Sequence, residues 1–207
     1  MFRYGSKFYR LMTLVTNLML LNLLWLLTSL PLFTIGASLS AMYHVCIQYV
    51  TRQDDSLMKI YFKAFKENFK QATLVWIPVS LIGCVIVAEW FYLSNTQTGA
   101  AWWLAFIVLT GLFFLVSGMI FPMIARYRNT TKAIILNSIN LSVRNLFSMI
   151  CVAILNIVPL VLLLEYTDVF LYLGLFWTFG GFALFAYINA AIVMRIFRKY
   201  EEPEEEE

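Results

Sequence analysis

Long apolar runs alternate along this chain with short basic segments. A membrane helix needs about 20 mostly apolar residues, because about 30 Å of hydrocarbon is crossed at about 1.5 Å per residue. Leu11 to Leu30, Thr73 to Leu93, Trp102 to Ile124 and Val169 to Met194 have that length. Leu146 to Leu164 is slightly shorter, and Pro31 to Val50 is mixed, carrying Ser38, Ser40, His44 and Gln48. The pattern predicts an all-α fold, a polytopic membrane helix bundle with six transmembrane helices arranged as three hairpins. The expected spans are 11–30, 31–50, 73–93, 102–124, 146–164 and 169–194. Residues 1–199 then form a single transmembrane domain, and 200–207 an acidic tail.

Composition excludes the alternatives. Of 207 residues, 61% are hydrophobic and 13% charged, and the mean hydropathy is +0.78. A soluble domain is nearer half apolar and a quarter charged, so this chain cannot cover a globule in water. Nine Gly, five Pro and three Cys leave no basis for a collagen, a disordered chain or a disulfide scaffold.

Charge decides how to read the mixed stretch at 31–50. Cytoplasmic loops collect Lys and Arg, whereas Asp and Glu contribute little to that bias. With six crossings and an inner N-terminus, all 15 basic residues fall on the cytoplasmic side. Arg3, Lys7 and Arg10 precede the first span. Arg52, Lys59, Lys63, Lys66 and Lys70 occupy the first inner loop, and Arg126, Arg128, Lys132 and Arg144 the second. Arg195, Arg198 and Lys199 follow the last span. A stretch that only dipped in and returned would strand the first of these loops outside. Both termini are therefore expected in the cytoplasm. The apolar start is longer than a signal-peptide core of about 7 to 15 residues and lacks a clear small-x-small cleavage site, so it is expected to be retained.

The inner loops carry a second pattern. On a helix over Leu57 to Ala72, Lys59, Lys63, Lys66 and Lys70 fall within about 60° of one another. Leu57, Tyr61, Ala64, Phe65, Phe69 and Ala72 spread over the other side. Such a helix is expected to lie in the inner interface, aromatics in the acyl boundary and lysines toward anionic headgroups. Thr131 to Asn145 repeats the idea weakly, with Ile135, Ile139 and Val143 as its apolar stripe and Asn137, Asn140 and Arg144 as its polar one. "AFKENFKQATL" overlays "SINLSVRNLFS" with low identity, as an old hairpin repeat would.

Residues 22–45, "NLLWLLTSLPLFTIGASLSAMYHV", resemble the opening signature of the YesL-type family of bacterial membrane proteins. Residues 62–73, "FKAFKENFKQAT", resemble that family's second signature. The resemblance implies a multi-pass protein of the bacterial cell membrane. Its genes often lie beside carbohydrate ABC transporters and polysaccharide-degradation enzymes. It supplies no catalytic residues.

The remaining features concern packing and buried polarity. Pro31 suits a helix start because it has no amide donor to lose. Gly36, Ser38 and Ala41 give one small-residue surface, and Gly180, Ala183, Ala186 and Ala190 another. Such surfaces let helix backbones approach closely, within one chain or between subunits. The intramembrane polar candidates are Asn17, Asn22, His44, Glu89, Asn156 and Asn189. Placing them in hydrocarbon is costly, so the asparagines are read as interhelical hydrogen bonds. His44 is read as another, with a proton relay or metal ligand as its alternative, and Glu89 as snorkelling to the nearby interface, with ion binding as its alternative. Cys46, Cys84 and Cys151 lie in separate predicted spans without zinc or redox spacing.

No phosphate-binding loop, dinucleotide fingerprint, HExxH or nucleophile elbow is present. The reading is a non-enzymatic protein with no catalytic or metal-ligating residues, no cofactor and no nucleic-acid partner. Its partners are expected to be the bilayer, with its anionic inner-leaflet lipids, and, as the resemblance to the YesL type implies, subunits of a carbohydrate ABC transporter, which it would serve as an accessory. An autonomous small-solute carrier or channel, and a membrane sensor, are the alternatives.

Overall fold

The computed structural model describes residues 7–51 and 56–201, and the side chains of Lys7 and Arg10 are not among those described. Arg3, Arg52 and the tail beyond Glu201 lie outside the described residues. Every described element is a helix or helical turn. α1 is Lys7–Thr28, a 3₁₀ turn follows at Leu32–Thr34, and α2 is Ile35–Thr51. α3 is Leu57–Asn95, α4 Ala100–Arg126, α5 Thr131–Arg144 and α6 Leu146–Glu165. α7 (Thr167–Tyr172), the single turn α8 (Gly174–Phe176) and a π-turn at Trp177–Gly181 lead into α9 (Phe182–Tyr200).

Five stretches are long and apolar enough to cross a membrane: Leu11–Thr28, α3, α4, α6 and Gly174–Tyr200. The sixth expected span corresponds to α2, which has 17 residues and differs from the others in where it sits. It packs against α3, α9 and α4 and is buried on several faces. That placement accounts for its mixed composition, because Ser38, Ser40 and His44 find partners in the protein instead of facing hydrocarbon.

The helix pairing departs from a row of three hairpins. α2 pairs most extensively with α3, while α1 lies mainly against the π-turn. Thr28, at the end of α1, accepts the Thr34 hydroxyl on its carbonyl at 2.6 Å and shares a 2.6 Å hydrogen bond with Tyr61 of α3. The six-span pattern set Thr28 and Tyr61 at opposite faces of the membrane. A hydropathy pattern reports which segments are apolar and carries no information about which helices touch.

α3 joins the amphipathic segment and the third span into one helix of 39 residues. At about 1.5 Å per residue it is about 58 Å long, well beyond the hydrocarbon thickness. Its apolar stripe was expected to enter the acyl boundary. Instead Leu57, Tyr61, Ala64 and Ala72 are buried within the bundle, while Met58 and Phe62 are exposed. α5 differs in a similar way. Its buried face is Ile134, Ser138 and Ser142, one position before the expected stripe, and Ile139 and Val143 are exposed. Two serines in a buried stripe cannot be recognised by hydrophobicity alone. The last expected span is also broken, since the π-turn at Trp177–Gly181 interrupts it and holds Gly181 close against the Trp177 side chain.

One end of the bundle is basic. There the end of α4, the start of α5, the first half of α3 and the end of α9 meet. Gln71 Nε2 donates to the Asn129 carbonyl at 2.8 Å, and Asn145 Nδ2 to the Tyr200 hydroxyl at 3.2 Å.

Candidate functional site

Three groups of side chains stand out: a buried amide cluster, a small-residue seam and the basic end.

Asn22 of α1 is fully buried. Its Nδ2 donates to the carbonyls of Trp177 and Thr178 at 2.9 and 2.7 Å, and its Oδ1 accepts the Ala183 amide at 3.0 Å. A π-turn takes backbone groups out of the regular helical ladder, and an unpaired backbone group is costly where water is absent. Asn22 supplies the missing partners. Around it, Trp177 is packed by Phe170, Phe182 and Phe185 at ring-centroid distances of 5.1 to 5.6 Å.

Deeper in the bundle, Asn189 of α9 donates through Nδ2 to Asn156 Oδ1 of α6 at 2.9 Å and to the Tyr43 hydroxyl of α2 at 3.4 Å. Three helices are tied at one point. His44, one residue on, faces α4: its Nδ1 lies 2.7 Å from the Ala125 carbonyl. A carbonyl only accepts, so Nδ1 is assigned the proton, and Nε2 takes a hydrogen bond from Gln48 Nε2 at 3.2 Å. Glu89 is half-buried and joins none of these groups. The structure thus unites Asn156 and Asn189, sets His44 beside them, gives Asn22 a separate task and leaves Glu89 apart. Tyr43 was missed because a tyrosine in an apolar run looks like an ordinary interface aromatic.

The small residues are consumed inside the chain. A Cβ at Gly36 would run into the Trp76 Cβ and would lie 2.6 Å from the Ala72 carbonyl oxygen. Ser38, Ala41, Ala183, Ala186 and Ala190 are buried as well. Gly180 is different, meeting only Met19 at 3.9 Å, and its neighbour Gly181 makes the close approach, to Trp177 at 2.7 Å.

Beside the amide cluster lies a cavity of about 760 Å³ between α2, α3, α4 and α6, largely apolar. A second space of about 350 Å³, toward α1 and α9, shares Tyr43, Trp76 and Asn156 with it. Among the described residues no acidic or basic side chain lines either one.

At the basic end Lys59, Lys63, Lys66 and Lys70 are all exposed and make no ion pair among the described residues. Glu67, on the same helix, pairs instead with Arg128 at 2.9 Å. Next to the lysine row a polar basin of about 650 Å³ is lined by Glu67, Asn68, Gln71 and the 127–130 link. Arg126, Tyr127 and Glu201 close the far side. Burial, reinforced by the Glu201 carboxylate, pushes the Tyr127 hydroxyl up to about 12. Burial acts against the charge of Glu201, but hydrogen bonds from Tyr127 and Arg126 outweigh it and hold the carboxyl below its usual value.

Residues 18–90 match the model of a family described as "Protein of unknown function, DUF624". That stretch holds Asn22, Tyr43, His44 and the lysine row, and stops short of Asn156 and Asn189. No curated protein and no solved structure matches the chain.

Proposed function

We propose that this chain is a non-enzymatic, multi-pass protein of the bacterial cell membrane that works by association with another membrane protein. The lysine row carries the proposal. Four cations stand exposed on one helix face beside a polar basin, whereas the buried amides and His44 are engaged with other groups of the chain. Near an anionic inner leaflet each such charge is worth about 1 kcal/mol. The row therefore holds the basic end against cytoplasmic headgroups and presents the basin beside it. The resemblance of residues 22–45 and 62–73 to the YesL type makes a carbohydrate ABC importer the partner to seek.

The test is gentle-detergent purification of the tagged full chain with identification of co-purifying proteins. A transporter subunit should be retained by the parent chain and lost when Lys59, Lys63, Lys66 and Lys70 are replaced with Gln. The variant's thermal melt should stay unchanged. A partner-free protein that moves solute into liposomes would sink the proposal in favour of a carrier. That second reading draws on one observation, the two adjoining spaces that share Tyr43 and Asn156.

A further inference from the structure

We infer that the 760 Å³ cavity between α2, α3, α4 and α6 is a binding site for a neutral, lipid-like molecule with a single hydrogen-bond-accepting oxygen. The inference goes beyond association and does not depend on any partner protein.

Size and walls give the body of the ligand. Binding cavities for organic ligands span about 300 to 1,000 Å³ and are mostly apolar, and this one falls inside that range. Trp76, Phe113, Phe114 and Phe121 supply aromatic walls, and Gly83 opens the space between them, while Gly118 lets Val152 and Asn156 approach closely. Cys84, Ala88 and Phe91 on its lining are exposed on the bundle surface, so the ligand enters from the lipid.

The polar end supplies the chemistry. Tyr43 is only 6% exposed, and its hydroxyl oxygen accepts from Asn189. Its own proton has no acceptor among the described residues. Asn156 Oδ1 is taken by Asn189, while its Nδ2 meets no acceptor among them and lies beside Gly118. Both residues line an apolar space inside the membrane, where no bulk water is present to satisfy a spare donor. An acceptor oxygen on the ligand would satisfy them both. With no basic side chain on the lining, a carboxylate or phosphate would be stranded there without a countercharge. An ester or ketone oxygen on a long apolar body fits.

The probe is a long-chain fatty acid methyl ester carrying a diazirine near the ester, photolysed with the purified full chain in nanodiscs. With the ester oxygen at Tyr43 and Asn156, labelled peptides should map to 39–43, 117–121 and 156–160. Unlabelled methyl ester should compete, and a hydrocarbon of equal length should compete at least tenfold less well. Asn156→Leu and Tyr43→Phe should each cut labelling several-fold. Gly83→Leu should abolish it by filling the space, and an added Cβ there meets only Phe113 at 3.9 Å, an ordinary contact. Equal labelling of parent and variants, or equal competition by the hydrocarbon, would overturn the inference and leave a gap filled by bilayer chains. Labelling lost only in a variant that no longer melts cooperatively would count as unfolding, and the remaining two variants then decide.

Discussion

Arg126 and Glu201, 75 positions apart, close the basic end of the bundle. Glu201 Oε1 lies 2.6 Å from Arg126 Nη2, accepts the Arg126 Nε–H at 2.7 Å and takes the Tyr127 hydroxyl at 2.8 Å. One carboxylate oxygen thus ties the end of α9 to the end of α4, and the acidic tail begins from an anchored residue.

Glu201→Gln should weaken that clasp at neutral pH by up to about 1 kcal/mol, because the pair is partly exposed and screened. The folded-state carboxyl sits below its ordinary value of 4.5. Its contribution is therefore complete above that value and lost as pH falls through the lowered one. Denaturant titration of parent and variant in detergent should show a gap at neutral pH that closes in strong acid.

Gly36→Val puts side-chain atoms where α3 already stands, against the Trp76 side chain and the Ala72 carbonyl. Overpacking costs about 1 to 3 kcal/mol, and the backbone oxygen cannot step aside. The thermal midpoint should fall clearly, whereas Gly111→Ala, with open space around it, should leave it level or raise it.

Asn22→Leu keeps the branched shape of the side chain, with bulkier methyls, and removes three hydrogen bonds to the π-turn and the start of α9. Interhelical bonds in membranes average about 0.6 kcal/mol each, so a loss of about 2 kcal/mol is expected. His44→Gln, which keeps hydrogen-bonding capacity, should cost less than half as much. Unfolding curves of the two variants side by side test the ranking.

Single cysteines at Leu30, Gln97 and Arg128, in a background without native cysteines, test the crossings. With all basic segments inside, an impermeant reagent on intact cells should label Gln97 and spare Arg128. Leu30 follows Thr28, which meets Tyr61 beside the lysine row, so it should be spared as well, and labelling there would mean that α2 completes a crossing.

Much of the architecture is legible residue by residue. Apolar runs of bilayer length mark the long helices, because in hydrocarbon the chain must satisfy its own backbone and a helix does so locally. The boundaries of α4 and α6 fall within two residues of those expected at 102–124 and 146–164. The charge segregation and the helical spacing of Lys59, Lys63, Lys66 and Lys70 are likewise local properties, and the four lysines do share an exposed face.

Tertiary structure decided the rest. The stripe of Leu57, Tyr61 and Ala64 has one periodicity whether lipid or protein covers it, and only the position of α2 makes it a buried seam. The polar residues of α2 read as signs of an uncertain span, but they are what an interior helix needs where its neighbours carry Asn68 and the Ala125 carbonyl. Gly180 and Gly181 look equivalent in sequence, yet only Gly181 has the Trp177 ring against it. Asn22 pairs with residues more than 150 positions away, and the Tyr43–Asn189–Asn156 cluster joins three separate helices. Sequence by itself determined which segments are helical and which of them suit the membrane, since backbone satisfaction and hydropathy act over a few residues. Which faces meet was left to packing, because that depends on shape and hydrogen-bond partners brought together from distant parts of the chain.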